Sequence, residues 1–139
     1  MKLNLESLSS AIDSLSRSLV AVEDAVRLGL SSDICESIQS GVIQNFEVAY
    51  EQAWKMMKRW IQENIGSSEV DGVTRRELFR VAMENLLIQD IDAWMMFHHA
   101  RNETSHTYNG IIAKSVFKTA KSFLNEAKKL RSVLLERND

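Results

Sequence analysis

Apolar residues recur along this chain with the spacing of helices. Leu5, Leu8, Ile12, Leu15, Leu19, Val22 and Val26 step by three and four residues, which places them on one seam of a long helix. Gly29 predicts its end. Beyond Ser31 and Ser32 the same spacing returns in Ile38, Val42, Phe46, Ala49, Ala53, Met56 and Trp60, and Gly66 with two serines after it marks a second stop. The stretch from Gly66 to Val73 reads as a loop. Thr74 with Glu77 three residues later has the form of a capping box, opening a third helix through Leu78, Ala82 and Leu86. A fourth stripe runs through Leu87, Ile91, Trp94, His98 and Arg101. Ile112, Val116, Ala120, Phe123, Ala127, Leu130 and Leu134 mark a long last helix.

These seams predict an all-α fold, an up-and-down antiparallel bundle of four or five helices forming one domain over residues 1–139. Composition agrees. A chain that is 45% hydrophobic with no proline and five glycines lacks the turn residues that hairpins and barrels use. The six methionines and Trp54, Trp60 and Trp94 read as core packing. The seam of the first helix suits a partner helix from a second copy as well as one from the same chain.

Charge adds a polarity that the net value of -2 hides. Up to Trp54, three basic residues (Lys2, Arg17, Arg27) stand against eight acidic ones, whereas Lys114 to Arg137 carries seven basic residues against Glu126 and Glu136. The basic run reads first as a solvated helix face, with steering of RNA or of the acidic surface of a partner as the alternative. Cys35 is the only cysteine, so an internal disulfide and a cysteine-based zinc framework are both excluded. A reducing cytoplasmic location is expected. No stretch approaches the roughly 20 apolar residues of a membrane span, and the N-terminus lacks the apolar run of a signal peptide.

The chemically informative stretch is Trp94 to Tyr108, W-M-M-F-H-H-A-R-N-E-T-S-H-T-Y, where the apolar seam gives way to polar residues. Arg101 falls seven residues after Trp94, on the core face, where a guanidinium requires an anionic partner. His106 follows where Asn102, Thr104 and Ser105 weaken the helix, and Tyr108 lies two residues on. The spacing R-x-x-x-x-H alone is weak evidence, since nine arginines and three histidines in 139 residues give about 0.2 chance matches. Context strengthens it. Histidine transfers protons near neutral pH, and arginine offers a fixed fork for phosphate, a pairing suited to phosphodiester chemistry. His98, His99, Glu103 and His106 raise the question of a metal, but His99 and Glu103 lie on a different face from His98 and no H-E-x-x-H pattern is present, so no metal is expected. With no glycine-rich phosphate loop either, no cofactor is expected. His98 is expected to be a hydrogen-bonded histidine at the edge of the core.

The run from Gly72 to Tyr108, G-V-T-R-R-E-L-F-R-V-A-M-E-N-L-L-I-Q-D-I-D-A-W-M-M-F-H-H-A-R-N-E-T-S-H-T-Y, resembles the HEPN superfamily, specifically its nucleotidyltransferase substrate-binding branch. The resemblance covers nearly the whole chain. It implies a dimerising helical bundle, encoded beside a minimal nucleotidyltransferase, that acts on RNA or a nucleotide. It further implies that Arg101 and His106 match the family's R-x-x-x-x-H ribonuclease pair, that Asn102 is a supporting polar neighbour, and that Tyr108 matches a tyrosine adenylylated by some partner enzymes. Two functions are then expected as alternatives. One is a toxin that cleaves RNA without a metal and is neutralised by its nucleotidyltransferase; the other is a non-catalytic subunit that binds substrate for that enzyme.

Overall fold

A computed structural model describes residues 2–138. Five α-helices follow one another: α1 (Glu6–Arg27), α2 (Ser32–Asn64), α3 (Arg75–Glu84), α4 (Ile91–Glu103) and α5 (Gly110–Glu136). Short 3-10 turns at Ser67–Glu69 and Thr104–His106 complete the order, and the described residues contain no strand. The all-α bundle expected from the seams is what forms. At 33 residues α2 spans about 50 Å and acts as the central post, packing against α1, α3, α4 and α5. α1 is shorter, at 22 residues.

Helix starts follow from local hydrogen bonding. Ser31 and Asp90 cap α2 and α4 by accepting the N–H groups of Ile34 and Ala93, and Asn109 accepts those of Ile111 and Ile112 at the start of α5. Thr74 accepts the Glu77 N–H at 3.2 Å. The reciprocal half of the capping box is absent, because the Glu77 carboxylate binds Arg80 instead.

The seams are buried or half-buried with two exceptions, both at helix C-termini. Val26 is 65% exposed, and Ala25 takes its inward place. The helix stops there: Gly29, at φ 69°, donates to Val26 O while Leu30 donates to Ala25 O, the paired bonds of a Schellman motif. α3 closes in the same way, with Leu86 donating to Met83 O and Leu87 to Ala82 O. There Leu86 occupies the left-handed position, φ 60°, that glycine usually fills. Leu86 is therefore turned outward, 72% exposed, rather than continuing the seam, and Leu87 and Ile88 are buried in its stead. The side chain of Arg137 reaches back from beyond α5 to the carbonyls of Asn85 and Leu86, which are orphan acceptors at a helix end.

Phe123 of α5 is the hub of the core. Its ring meets Phe46 and Phe97 at 5.2 Å, Trp94 at 5.7 Å and Tyr50 at 6.2 Å, all edge to face, the geometry favoured by aromatic quadrupoles. This cluster joins α2, α4 and α5 and fixes how the C-terminal end of α4 meets α2. Cys35, half-buried in the first turns of α2, lies 3.7 Å from Leu30 O.

Candidate functional site

Beyond Phe97 the inner face of α4 leaves the aromatic cluster and meets polar side chains of α2. Arg101, whose side chain is 32% exposed, places Nη1 3.2 Å from Glu47 Oε2 and Nε 3.1 Å from Glu51 Oε1. The anionic partner that its seam position demanded is thus a pair of carboxylates one turn apart on α2. Glu51 Oε2 also accepts the indole N–H of Trp54 at 3.1 Å. The Thr104 hydroxyl lies 2.9 Å from Glu47 Oε2 and 2.7 Å from the Arg101 carbonyl. Glu47 therefore touches both the guanidinium and the turn that carries His106.

The same seam holds His98 where a core-edge histidine was expected. Its Nδ1 lies 2.9 Å from the hydroxyl of Tyr50, which sits fully inside the core. Burial, then the Arg75 guanidinium, with Arg101 and His99 adding to it, holds the His98 imidazole below its ordinary pKa of 6.5, against an opposing pull from Glu51. Burial likewise pushes the Tyr50 phenol well above its ordinary value. His98 and Tyr50 thus form a neutral hydrogen-bonded pair, structural rather than poised for proton transfer.

His106 closes the 3-10 turn after α4 and is exposed. Its ring lies 6.2 Å from that of Tyr108, nearly perpendicular, and Tyr108 is 86% exposed. Asn102 is also exposed, with Nδ2 3.5 Å from His98 Nε2. A cleft of 350 Å³ beside Tyr108 includes Thr107, Lys114, Glu36 and Ser40. A second groove, of 430 Å³, runs between α4 and α5 past His99, Glu103 and the exposed apolar side chains of Met96 and Ile111. His99 and Glu103 approach no closer than 4.0 Å, and no group of three or more metal-ligating side chains gathers among the described residues.

The four residues singled out in the sequence thus fall on one short segment, the last turn of α4 and the turn after it, with unequal constraint. Arg101 is gripped on two sides, whereas His106 and Tyr108 stand in solvent. Sequence reasoning missed Glu47, Glu51, Tyr50 and Thr104. The two glutamates follow the buried Phe46 and Tyr50 directly, so a search for acids flanking the second seam, prompted by the unpartnered Arg101, was the one signal available.

Comparison with known proteins places the chain in a family. Residues 3–136 match the model described as nucleotidyltransferase substrate binding protein like, and the chain belongs to that family. It is similar to the Haemophilus influenzae protein named "Probable ribonuclease HepT", at 34% identity over 139 residues, 99% of this chain and 95% of that protein. A solved Haemophilus influenzae structure, described as revealing the fold of a substrate binding domain of a nucleotidyltransferase, superposes with a TM-score of 0.88 at 32% identity, covering 94% of this chain and 98% of that one. A Thermus thermophilus crystal structure shares the fold at a TM-score of 0.64 and 21% identity, covering 86% of this chain and 98% of the other.

Proposed function

We propose that this protein is a HEPN-type endoribonuclease, the toxin of a pair in which a cognate minimal nucleotidyltransferase neutralises it. The observation that carries the reading is a fixed guanidinium, Arg101, in the last turn of α4 and an exposed imidazole, His106, in the 3-10 turn that follows. A relative at 34% identity is named a probable ribonuclease, and this supports it. In the proposed reaction the ribose 2'-hydroxyl attacks the adjacent phosphorus, the 5'-oxygen departs, and a cyclic phosphate remains. His106 takes the hydroxyl proton or supplies one to the leaving oxygen, and Arg101 stabilises charge developing on the phosphoryl oxygens. The exposed Met96 and Ile111 flank this segment and suit a homodimer that brings two such pairs together.

His106→Ala is the direct test. The exposed imidazole contributes little to packing, so the variant should keep the parent's circular dichroism and mass in sedimentation while RNA cleavage is abolished. Equal cleavage by both proteins would overturn the assignment. Tyr108, 86% exposed, is open to modification. Incubation with the cognate nucleotidyltransferase and ATP should add AMP to the peptide containing Tyr108 and silence cleavage, as mass spectrometry would show.

A second reading has its own support. Two carboxylates already hold the Arg101 guanidinium, which suits a positioning role for Arg101 better than phosphate capture. In that reading the chain, lacking catalysis, presents substrate to the nucleotidyltransferase, and the family description fits. Arg101→Ala would then lower the turnover of the partner enzyme, with RNA left intact by the parent protein.

A further inference from the structure

We propose that the C-terminal half of α2 carries a separate binding surface for single-stranded RNA, built of cations around Trp54 and continuous with the Arg101 segment. Glu47, Glu51, Trp54, Lys55, Lys58 and Gln62 follow helical spacing and share one face of α2. The first two are occupied by Arg101. Past them the face turns cationic, and a depression of 280 Å³ is lined by Trp54, Lys55, Lys58, Arg59 and Gln62.

Two cations set against one indole distinguish this patch from an ordinary solvated helix face. Among the described residues, Lys55, Lys58 and Arg59 have no carboxylate within ion-pair distance. On α5, Lys129 pairs with Glu126 and Arg131 with Asp13, while Lys114, Lys118, Lys121 and Lys128 are likewise unpaired among the described residues, so what marks the α2 cations is the indole ring among them. A fourth cation, Arg75 at the start of α3, lies 3.5 Å over the Trp54 ring, and Lys55 Nζ stands 5.8 Å from the same ring. Asp71 accepts from Gln62 at 3.0 Å at the far edge of the depression, but the cations outnumber the carboxylates there and repel one another, and a polyanion relieves that repulsion.

The indole joins this patch to the candidate site. Trp54 and Arg101 bind opposite oxygens of the Glu51 carboxylate, each at 3.1 Å. At about 1.5 Å per residue, Lys58 lies roughly 10 Å along α2 from Glu51, so a strand crossing the Arg101 segment passes over the cations next. Unstacked bases with regularly spaced phosphates suit a surface of lysine, arginine and tryptophan. An acidic protein would use the cations and leave the indole idle.

The proposal takes RNA as ligand from the ribonuclease reading, so binding is measured apart from cleavage. The probe is a short fluorescein-labelled 2'-O-methyl RNA, which lacks the attacking hydroxyl, read by fluorescence anisotropy on the full-length protein. The triple variant Lys55→Glu, Lys58→Glu, Arg59→Glu should bind at least about tenfold more weakly, with a log–log salt slope shallower by about 2. The triple variant Lys118→Glu, Lys121→Glu, Lys128→Glu makes the same charge change on exposed lysines of α5 and should weaken binding by less than about threefold. Equal weakening by both triples, or none by the first, would overturn the surface. So would an α2 triple that keeps RNA but loses a complex with the nucleotidyltransferase. If the parent binds the probe and never cleaves unmodified RNA, the ribonuclease reading falls and the surface stands. If the parent cleaves RNA and the α2 triple does so with an unchanged KM, the surface falls and the ribonuclease reading stands.

Discussion

In the first half of α4, Trp94 and Phe97 meet the rings of Phe79 and Phe123 at 5.2–5.7 Å, whereas from His98 onward the same face meets Tyr50, Glu47 and Glu51 through directed polar contacts. Both stretches continue one helical seam. The aromatic half depends on volume and tolerates chemically similar replacements of equal size. The polar half depends on matched donors and acceptors, which packing alone does not supply. One seam thus delivers a rigid anchor and, a turn later, a chemically specified surface.

The sharpest way to break the anchored half is Phe123→Ala, which removes a fully buried ring touching four others. A loss of about 3–5 kcal/mol in denaturant unfolding is expected, and a loss below 1 kcal/mol would deny Phe123 its place as hub. In the polar half the effects should be smaller. Tyr50→Phe deletes the hydroxyl that binds His98 and should cost about 1 kcal/mol. The double change Glu47→Gln, Glu51→Gln leaves the half-exposed Arg101 without counter-charge. It should also cost about 1 kcal/mol, and less in high salt. His106→Ala should change stability by less than about 0.5 kcal/mol, which would establish that the exposed end of the segment is free of structural duty.

The finest effect is one of pH. Well above 6.5 His98 is neutral in both the folded and the unfolded chain, so it contributes no difference. As pH falls from that value the unfolded chain takes up a proton that the folded site resists, and stability declines. Melting temperature measured downward from pH 6.5 should fall in the parent, and His98→Gln should flatten that slope. Asp13 and Glu77, held low by Arg131 and Arg80, lose their contribution only in more acid solution.

Helices and most of their inward faces were legible because burial repeats with the helical period, from Leu5 to Leu134. The reading failed at Val26 and Leu86, where a hydrophobic residue kept the period after the backbone had begun to turn. Periodicity carries no information on where a Schellman turn interrupts it, least of all when leucine replaces the expected glycine. At the site, the need of Arg101 for an anion followed from its register alone. Which anion did not, because Glu47 and Glu51 meet it only through the packing of α2 on α4, fifty or so residues away. Trp54 was read as core, yet it is only half-buried and lies under Arg75, a pairing that depends on where the loop before α3 returns the chain.

The shared grip of Glu47 on Arg101 and Thr104 has a consequence for timing. Those contacts span 54 and 57 residues of chain, so their loop entropy is met only when α4 docks on a finished α2. The hairpin of α1 and α2 joins neighbours in sequence and can form before that. A chain still emerging during synthesis, or one locally opened at α4, therefore has its arginine and histidine but no fixed geometry between them. The corner comes into being only as α4 closes on α2, and its integrity reports that those two helices have packed.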